Sequence, residues 1–170
     1  MEAKEIFDTL REKFGDRIGD ADLEGREPSL KIETDAIADV CLFLKDEPAL
    51  KFNILLCVSG VDYKTSLGVV YHMTSIEHKH LICLKVEIDR EDPKVPTLTR
   101  VWPTADWHER EAFDLFGIKF LDHPNLTRIL CAEDWVGHPL RKDYVFPTEY
   151  HGVPCEIEYL DFFGEQKRWQ

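Results

Sequence analysis

A chain of 170 residues, 44% of them apolar and 32% charged, has the length for one domain with a real core and the composition of an ordinary soluble globular protein. Its formal net charge of -12 excludes nucleic acid as the main partner, because phosphate binding needs a cationic footprint, and disfavours direct contact with anionic lipid. The longest apolar run, residues 54–58, is far too short to span a bilayer, and the acidic amphipathic N-terminus lacks the apolar core of a secretion signal.

Residues 3–14 have the pattern of a helix, with Phe7, Leu10 and Phe14 on one face and Gly15 as its stop. Two short extended pieces follow, at 17–23 and 29–33, on either side of a turn at 25–28. Thr34 or Asp35 is placed to cap a second helix, where Ile37, Val40, Cys41 and Leu44 recur at helical spacing before Pro48 ends it. Three strands come next. Residues 52–58 are nearly continuous apolar, the pattern of a central strand covered on both faces. Residues 67–74 alternate, with Val69, Tyr71 and Met73 on one side. Residues 81–88 alternate too, gathering Ile82, Leu84, Val86 and Ile88 and turning Lys85 and Glu87 outward. The short connections suit antiparallel neighbours. Pro93 and Pro96 open a loop, and Pro103 leads into a third helix capped by Thr104, with Asp106 in its first turn. After Tyr144 come Pro147, Pro154 and many aromatics without periodicity. The expectation is therefore α+β: one domain over residues 1–146, a mixed or mainly antiparallel β-sheet with helices packed on it, and an extended C-terminal arm over 147–170.

The five cysteines, Cys41, Cys57, Cys83, Cys131 and Cys155, are widely separated and odd in number, and no two form Cys-x-x-Cys. They read as free, mostly buried thiols of a reducing compartment, with no local ligand set for zinc or an iron–sulfur cluster.

The chemistry is concentrated in residues 107–144. Glu109, Arg110, Glu111 and Asp114 share a helix of about 105–116, with Arg110 and Asp114 at i, i+4. Two His-Pro steps follow, His123-Pro124 and His138-Pro139, with Arg128, Arg141 and Lys142 among them. These charges stand beside Trp107, Phe113, Phe116 and Phe120, so they either do chemistry or pair. A stand-alone enzyme would use Glu111 or Asp114, for instance Glu111 as a base with Arg128 holding an anion. Nothing else in the sequence supports that. There is no phosphate-binding glycine loop and no nucleophile elbow, and His108-Glu109 lacks the second His of a zinc-protease helix. His78 and His80 read as part of a polar hairpin turn, and the His-Pro steps as fixed extended backbone. Arg128, Arg141 and Lys142 are natural counter-charges for Glu109, Glu111 and Asp114, with the individual pairings open. Structural pairing is the reading the residues favour.

The runs EREAFDLFGIKFLDHPNLTRIL and EDWVGHPLRKDY closely resemble the signature of the family of thirty-kilodalton subunits of NADH-quinone oxidoreductase, respiratory complex I. Upstream, VDYKTSLGVVYHMTSIEHKHLICLKVEI has the look of the same family. The likeness is strongest over 101–144, and the N-terminal helix and the tail are not diagnostic. Thr127 departs from it, standing where many relatives have a basic residue. Energy-converting hydrogenases and dehydrogenases with other electron donors contain related subunits, so the resemblance fixes the role better than the donor. It implies a chain with no cofactor of its own, while FMN, iron–sulfur clusters, NADH and quinone belong to other subunits. The implied partners are the forty-nine-kilodalton quinone-site subunit, the terminal-cluster subunit and others of the peripheral arm. The membrane, at its cytoplasmic side, would be reached only through the complex. The motif positions that carry over are Glu109, Arg110, Glu111, Asp114, His123, Pro124, Arg128, Gly137, Pro139, Arg141, Lys142, Asp143 and Tyr144. Their implied role is docking and scaffolding, not proton transfer.

Overall fold

Hydrophobic periodicity sets the first elements. In a computed structural model that describes residues 2–24 and 27–155, with the backbone of 159–160 and 166–167, helix α1 (Ala3–Phe14) buries Ile6 and Leu10 and ends at Gly15. A short 3₁₀ turn, Gly15–Arg17, leads into β1 (Ile18–Asp22), which pairs antiparallel with β2 (Ser29–Ile32). Helix α2 (Ile37–Asp46) buries Ile37, Val40, Cys41 and Leu44, the four positions that share a face at helical spacing. Its N-cap position is Ala36, not Thr34 or Asp35; the Thr34 hydroxyl instead donates to the Glu87 carbonyl at 3.3 Å.

Strands β3 (Ile54–Asp62), β4 (Ser66–Ser75) and β5 (His80–Asp89) form an antiparallel meander, and β2 joins β5 in parallel. The sheet is therefore mixed, in the order β1-β2-β5-β4-β3. Its register sets Tyr71 opposite Leu84, Val69 opposite Val86 and Met73 opposite Ile82. One face thus gathers these side chains with Leu67 and Ile88, all buried, and apolar residues of all three helices join the same core. Each such aliphatic or aromatic side chain contributes about 1.5–3 kcal/mol on leaving water.

Two strand expectations are corrected as well. The apolar run at 52–58 belongs to the edge strand β3, not a central one. Leu50 and Phe52 are buried ahead of the strand, and a register shift between Leu55 and Cys57 leaves Leu56 half exposed, so an irregular edge mimics a two-faced strand. The stretch between Pro93 and Pro96, expected as a loop, forms β6 (Lys94–Pro96), which pairs in parallel with β7 (Lys119–Leu121). Proline is tolerated there because the ladder is short and Pro96 stands at its end. Helix α3 (Ala105–Phe116) lies between these two strands in sequence, so their pairing brings the segments leading into and out of the helix side by side. Within the expected arm, β8 (Glu149–Tyr150) and β9 (Val153–Pro154) make a small hairpin; the side chains beyond Cys155 lie outside the described residues.

Candidate interaction site

Every helix leaves its last four carbonyls without helical partners, and in α3 the chain that follows supplies all four. Phe113 O accepts the Gly117 N–H at 2.9 Å, and Leu115 O accepts the Leu140 N–H at 3.1 Å. Asp114 O accepts from His138 Nδ1 at 2.9 Å, and Phe116 O from Arg141 Nε at 2.7 Å. A carbonyl only accepts, so His138 carries its proton on Nδ1, and burial lowers the pKa of the ring. Gly117 stands in the left-handed region, φ +76, and a Cβ there would lie 2.5 Å from His138 Nε2. Arg128 and Arg141 thereby sit at the negative end of the helix dipole.

Asp114 is the anchor of this arrangement. Its carboxylate is fully buried, and Oδ2 accepts the backbone N–H groups of Ile129, Leu130 and Cys131 at 3.0, 2.7 and 2.8 Å. Oδ1 accepts from Arg128 Nη1 at 2.9 Å, and Arg128 Nη2 continues to Gly137 O at 2.9 Å. Burial works to raise the carboxyl pKa, but the N–H groups of Cys131, Leu130 and Ile129 outweigh it and hold the group ionised. One side chain therefore folds the loop at 128–131 onto the helix.

The other half of α3 is held differently. Glu109 is also fully buried; Oε1 accepts the Leu98 N–H at 2.7 Å, and Oε2 lies 2.5 Å from Thr97 Oγ1. Burial pushes its carboxyl up to about 7, against the pull of those two hydrogen bonds. The His123 side chain is shut off from solvent, with Nε2 3.4 Å from Asp106 O, 3.7 Å from Asp106 Oδ1 and 3.9 Å from Glu109 Oε2. Its Nδ1 accepts the Asn125 N–H at 3.1 Å. The two His-Pro steps thus do more than stiffen backbone, because each places an imidazole against opposite ends of α3.

The remaining motif residues tie the loop to the sheet. Asp62, buried at the end of β3, accepts from Arg90 Nη1 at 2.6 Å, the Lys64 N–H at 2.7 Å and the Lys142 N–H at 2.8 Å. The Arg90 guanidinium, with help from those amides, holds the Asp62 carboxyl well below the usual range. Arg90 also reaches Asp143 at 2.5 Å. Gly137, φ +81, lies under the Tyr144 ring, where a Cβ would approach within 2.8 Å, and Tyr144 donates to Val136 O at 3.1 Å. Arg110 leaves Asp114 alone; it stacks on exposed Trp107 and donates to Thr127 O and Oγ1 at 3.2 and 3.0 Å. Thr104 occupies the N-cap without a side-chain capping bond. Pro139 follows His138 into the turn that carries Leu140, and Pro124 is exposed.

Of the counter-charge pairings left open by the sequence, the structure makes Arg128–Asp114. Arg141 serves a carbonyl, Lys142 contributes its backbone, and Glu109 has no lysine or arginine against it among the described residues. Glu111 is exposed and forms no ion pair among the described residues. Sequence reasoning missed Asp62, Arg90 and Thr97; only the Asp62-to-Lys64 turn, in which a short acid caps the amide two residues on, had a local signal. His78 and His80 hold the α2–β3 connection by their Nε2 atoms, at 2.9 Å from Pro48 O and 2.6 Å from Leu50 O. All five cysteines are free, Cys41 and Cys83 being buried. Among the described residues no group of three or more His, Cys, Asp or Glu is placed to hold a metal ion, and no helix is long and apolar enough to cross a membrane.

The segment after α3 exposes apolar side chains among its exposed charges Glu133, Asp134, Lys142 and Asp143. Leu130, Val136, Leu140, Val145 and Phe146 are 62, 83, 52, 84 and 61% exposed.

The family model for the respiratory-chain NADH dehydrogenase 30 Kd subunit matches residues 30–150, which include α3 and the whole motif segment. The C subunit of NADH-quinone oxidoreductase from Chlorobium phaeobacteroides is 45% identical over 156 residues, 89% of this chain and 94% of that one. The protein of the same name from Roseiflexus sp. (strain RS-1) is 48% identical over 167 residues, 96% and 90% of the two chains. Among solved structures, the trypsin-resistant fragment of Nqo5 matches with a TM-score of 0.62 at 30% identity, covering 74% of this chain and 100% of the fragment.

Proposed function

The chain belongs to the 30-kilodalton subunit family of the respiratory-chain NADH dehydrogenase, and from that premise we propose that it is a structural subunit of the peripheral arm of a proton-translocating NADH-quinone oxidoreductase. In this reading it carries no redox centre; FMN, iron–sulfur clusters, NADH and quinone are handled by other subunits. It docks beside the forty-nine-kilodalton quinone-site subunit and the terminal-cluster subunit, and meets the cytoplasmic side of the membrane through them. One observation carries the proposal. The buried Glu109 and Asp114, with His123, His138, Arg128 and Arg141, are spent on holding α3 and its following segment in one conformation, and that conformation exposes Leu130, Val136, Leu140, Val145 and Phe146. Asp114, with four donors on its two oxygens, is occupied as an anchor and has no place as a base.

The experiment uses Glu111, which is exposed on the motif helix. Glu111→Ala should leave the stability of the isolated chain within about 0.5 kcal/mol of the parent. In membranes it should lower the amount of assembled complex, with NADH-quinone activity falling in proportion. Arg141→Ala should also reduce assembly, but through a less stable chain, because it uncaps α3. A Glu111→Ala complex that assembles fully yet turns over about a hundredfold slower would assign chemistry to this chain and overturn the proposal. Recovery of the native chain with a hydrogenase module in place of an NADH-oxidising one would overturn the donor.

A further inference from the structure

The two buried acids of α3 are built on different plans. Asp114 meets a guanidinium and three amides. Glu109 meets one amide and one hydroxyl, and among the described residues no lysine or arginine faces it. The titratable groups that do are Asp106 from its own helix, His123 from the segment after β7, Cys41 from α2 and Tyr71 from β4. Burial raises the Cys41 thiol and the Tyr71 phenol well above their ordinary values, and Glu109 adds to both shifts, so neither supplies or accepts charge. His123 accepts the Asn125 N–H at Nδ1, so the nitrogen it turns toward Asp106 and Glu109, Nε2, is left as its donor.

We propose that Glu109 is a protonation latch: as a neutral carboxyl it holds the β6–α3 connection and the His123 segment against α3, and as a carboxylate it loosens them. The hydrogen-bond chain is suited to both states. Thr97 Oγ1 lies 2.5 Å from Glu109 Oε2 and 3.0 Å from Thr99 Oγ1, and it also accepts the Thr99 N–H at 3.2 Å. With the carboxyl protonated, Oε2–H donates to Thr97, which donates to Thr99. With the proton gone, Thr97 turns its hydroxyl to Glu109 and the bonds from Thr97 and Leu98 tighten, but a charge is left in the core with no lysine or arginine beside it among the described residues, and the cost of burying it outweighs the two bonds. The segments released are those that carry Thr97, Leu98 and His123, so the grip on the front half of α3 weakens as pH rises from the ordinary glutamate range toward neutrality while the Asp114 anchor at its other end is unaffected.

The test is made on the full chain by carboxyl-carbon NMR and amide hydrogen exchange, with Glu109→Gln as the variant that keeps an oxygen for Leu98 and loses the titratable proton. The Glu109 carboxyl should titrate near neutrality. After correction for intrinsic exchange, protection of the Leu98 amide should fall by about tenfold between the protonated and ionised states, and Glu109→Gln should abolish that dependence. A carboxyl that titrates in the ordinary glutamate range, or a Leu98 amide whose protection varies with pH equally in both proteins, overturns the latch. Should Glu109→Gln fail to fold, the parent decides alone: a Leu98 protection that does not fall between the ordinary glutamate range and neutrality overturns the latch.

Discussion

Asp114 and Glu109 look interchangeable as letters: two acids on one helix, with basic residues downstream. Their surroundings make one an ion and the other a nearly neutral acid, and the consequences run in opposite directions with pH. The folded-state pKa of Asp114 is lowered, so its stabilisation is fully present above the ordinary aspartate value and is lost as the pH falls through the folded one. Asp114→Asn keeps one oxygen but turns an N–H₂ toward groups that are all donors, so the variant should lose about 3–5 kcal/mol at neutral pH, with the deficit shrinking in acid. Urea unfolding at pH 7 and pH 3 measures both halves of this prediction; a deficit independent of pH would mean that the loop is not held by charge. For Glu109, raised to about 7, stability is highest below the ordinary glutamate value and declines toward neutrality. Buried His80 and half-buried His138, both lowered, contribute with the opposite sign through the mildly acidic range. The sequence could name these acids but not sort them, because the groups that decide are backbone amides at Leu98 and 129–131, and an amide has no letter of its own.

Elements were legible where burial writes a period into the chain. The four buried positions of α2 and the alternation in β5 are direct imprints of one apolar face each, while β4, whose letters alternate, is buried on both faces from Leu67 to Tyr71. Legibility failed where packing comes from elsewhere: β3 reads as central because Leu50 and Phe52 are buried ahead of it, and β6 is a three-residue strand with a proline, stable only because β7 returns beside it after α3. The end of α3 belongs to the same class, since its cap is built in part by His138, Leu140 and Arg141, side by side with it in space and far along the sequence. Gly117→Ala and Gly152→Ala separate that cap from the cost of the glycine backbone. Both positions have positive φ, +76 and +78, but a Cβ at Gly152 meets nothing within 4 Å, while at Gly117 it strikes His138 and comes 2.9 Å from Arg141 Nη2. Gly152→Ala should cost about 1 kcal/mol, the ordinary left-handed penalty. Gly117→Ala should cost about 2–3 kcal/mol more than that, through the displaced ring and guanidinium. Equal shifts in urea midpoint would show that His138 and Arg141 yield freely and are not the cap.

At the scale of the molecule, a chain of net charge -12 exposes a run of apolar side chains on the outer side of its most charged segment. The family resemblance is what suggests a docking role for the motif; the exposed residues were not readable, because Leu130, Val136, Leu140 and Val145 lie in irregular backbone where no period separates inside from outside. Their orientation follows from the anchors beneath them: Asp114 fixes 129–131, Tyr144 fixes 136–137, and Asp62 with Arg90 fixes 142–143. If that surface exists for a partner, the two most exposed residues can be altered without touching the fold. Val136→Asp with Val145→Asp removes no buried contact, so unfolding should shift by no more than about 1 kcal/mol for the pair, and two added acids should make the isolated chain more soluble. In the native complex the same acids would be driven into an apolar contact, where an unpaired charge is strongly disfavoured. The doubly substituted chain should therefore remain folded and free while its recovery with other subunits from membranes collapses. Wild-type recovery of the assembled complex from this variant would remove the surface from the interface and leave the exposed valines without a role.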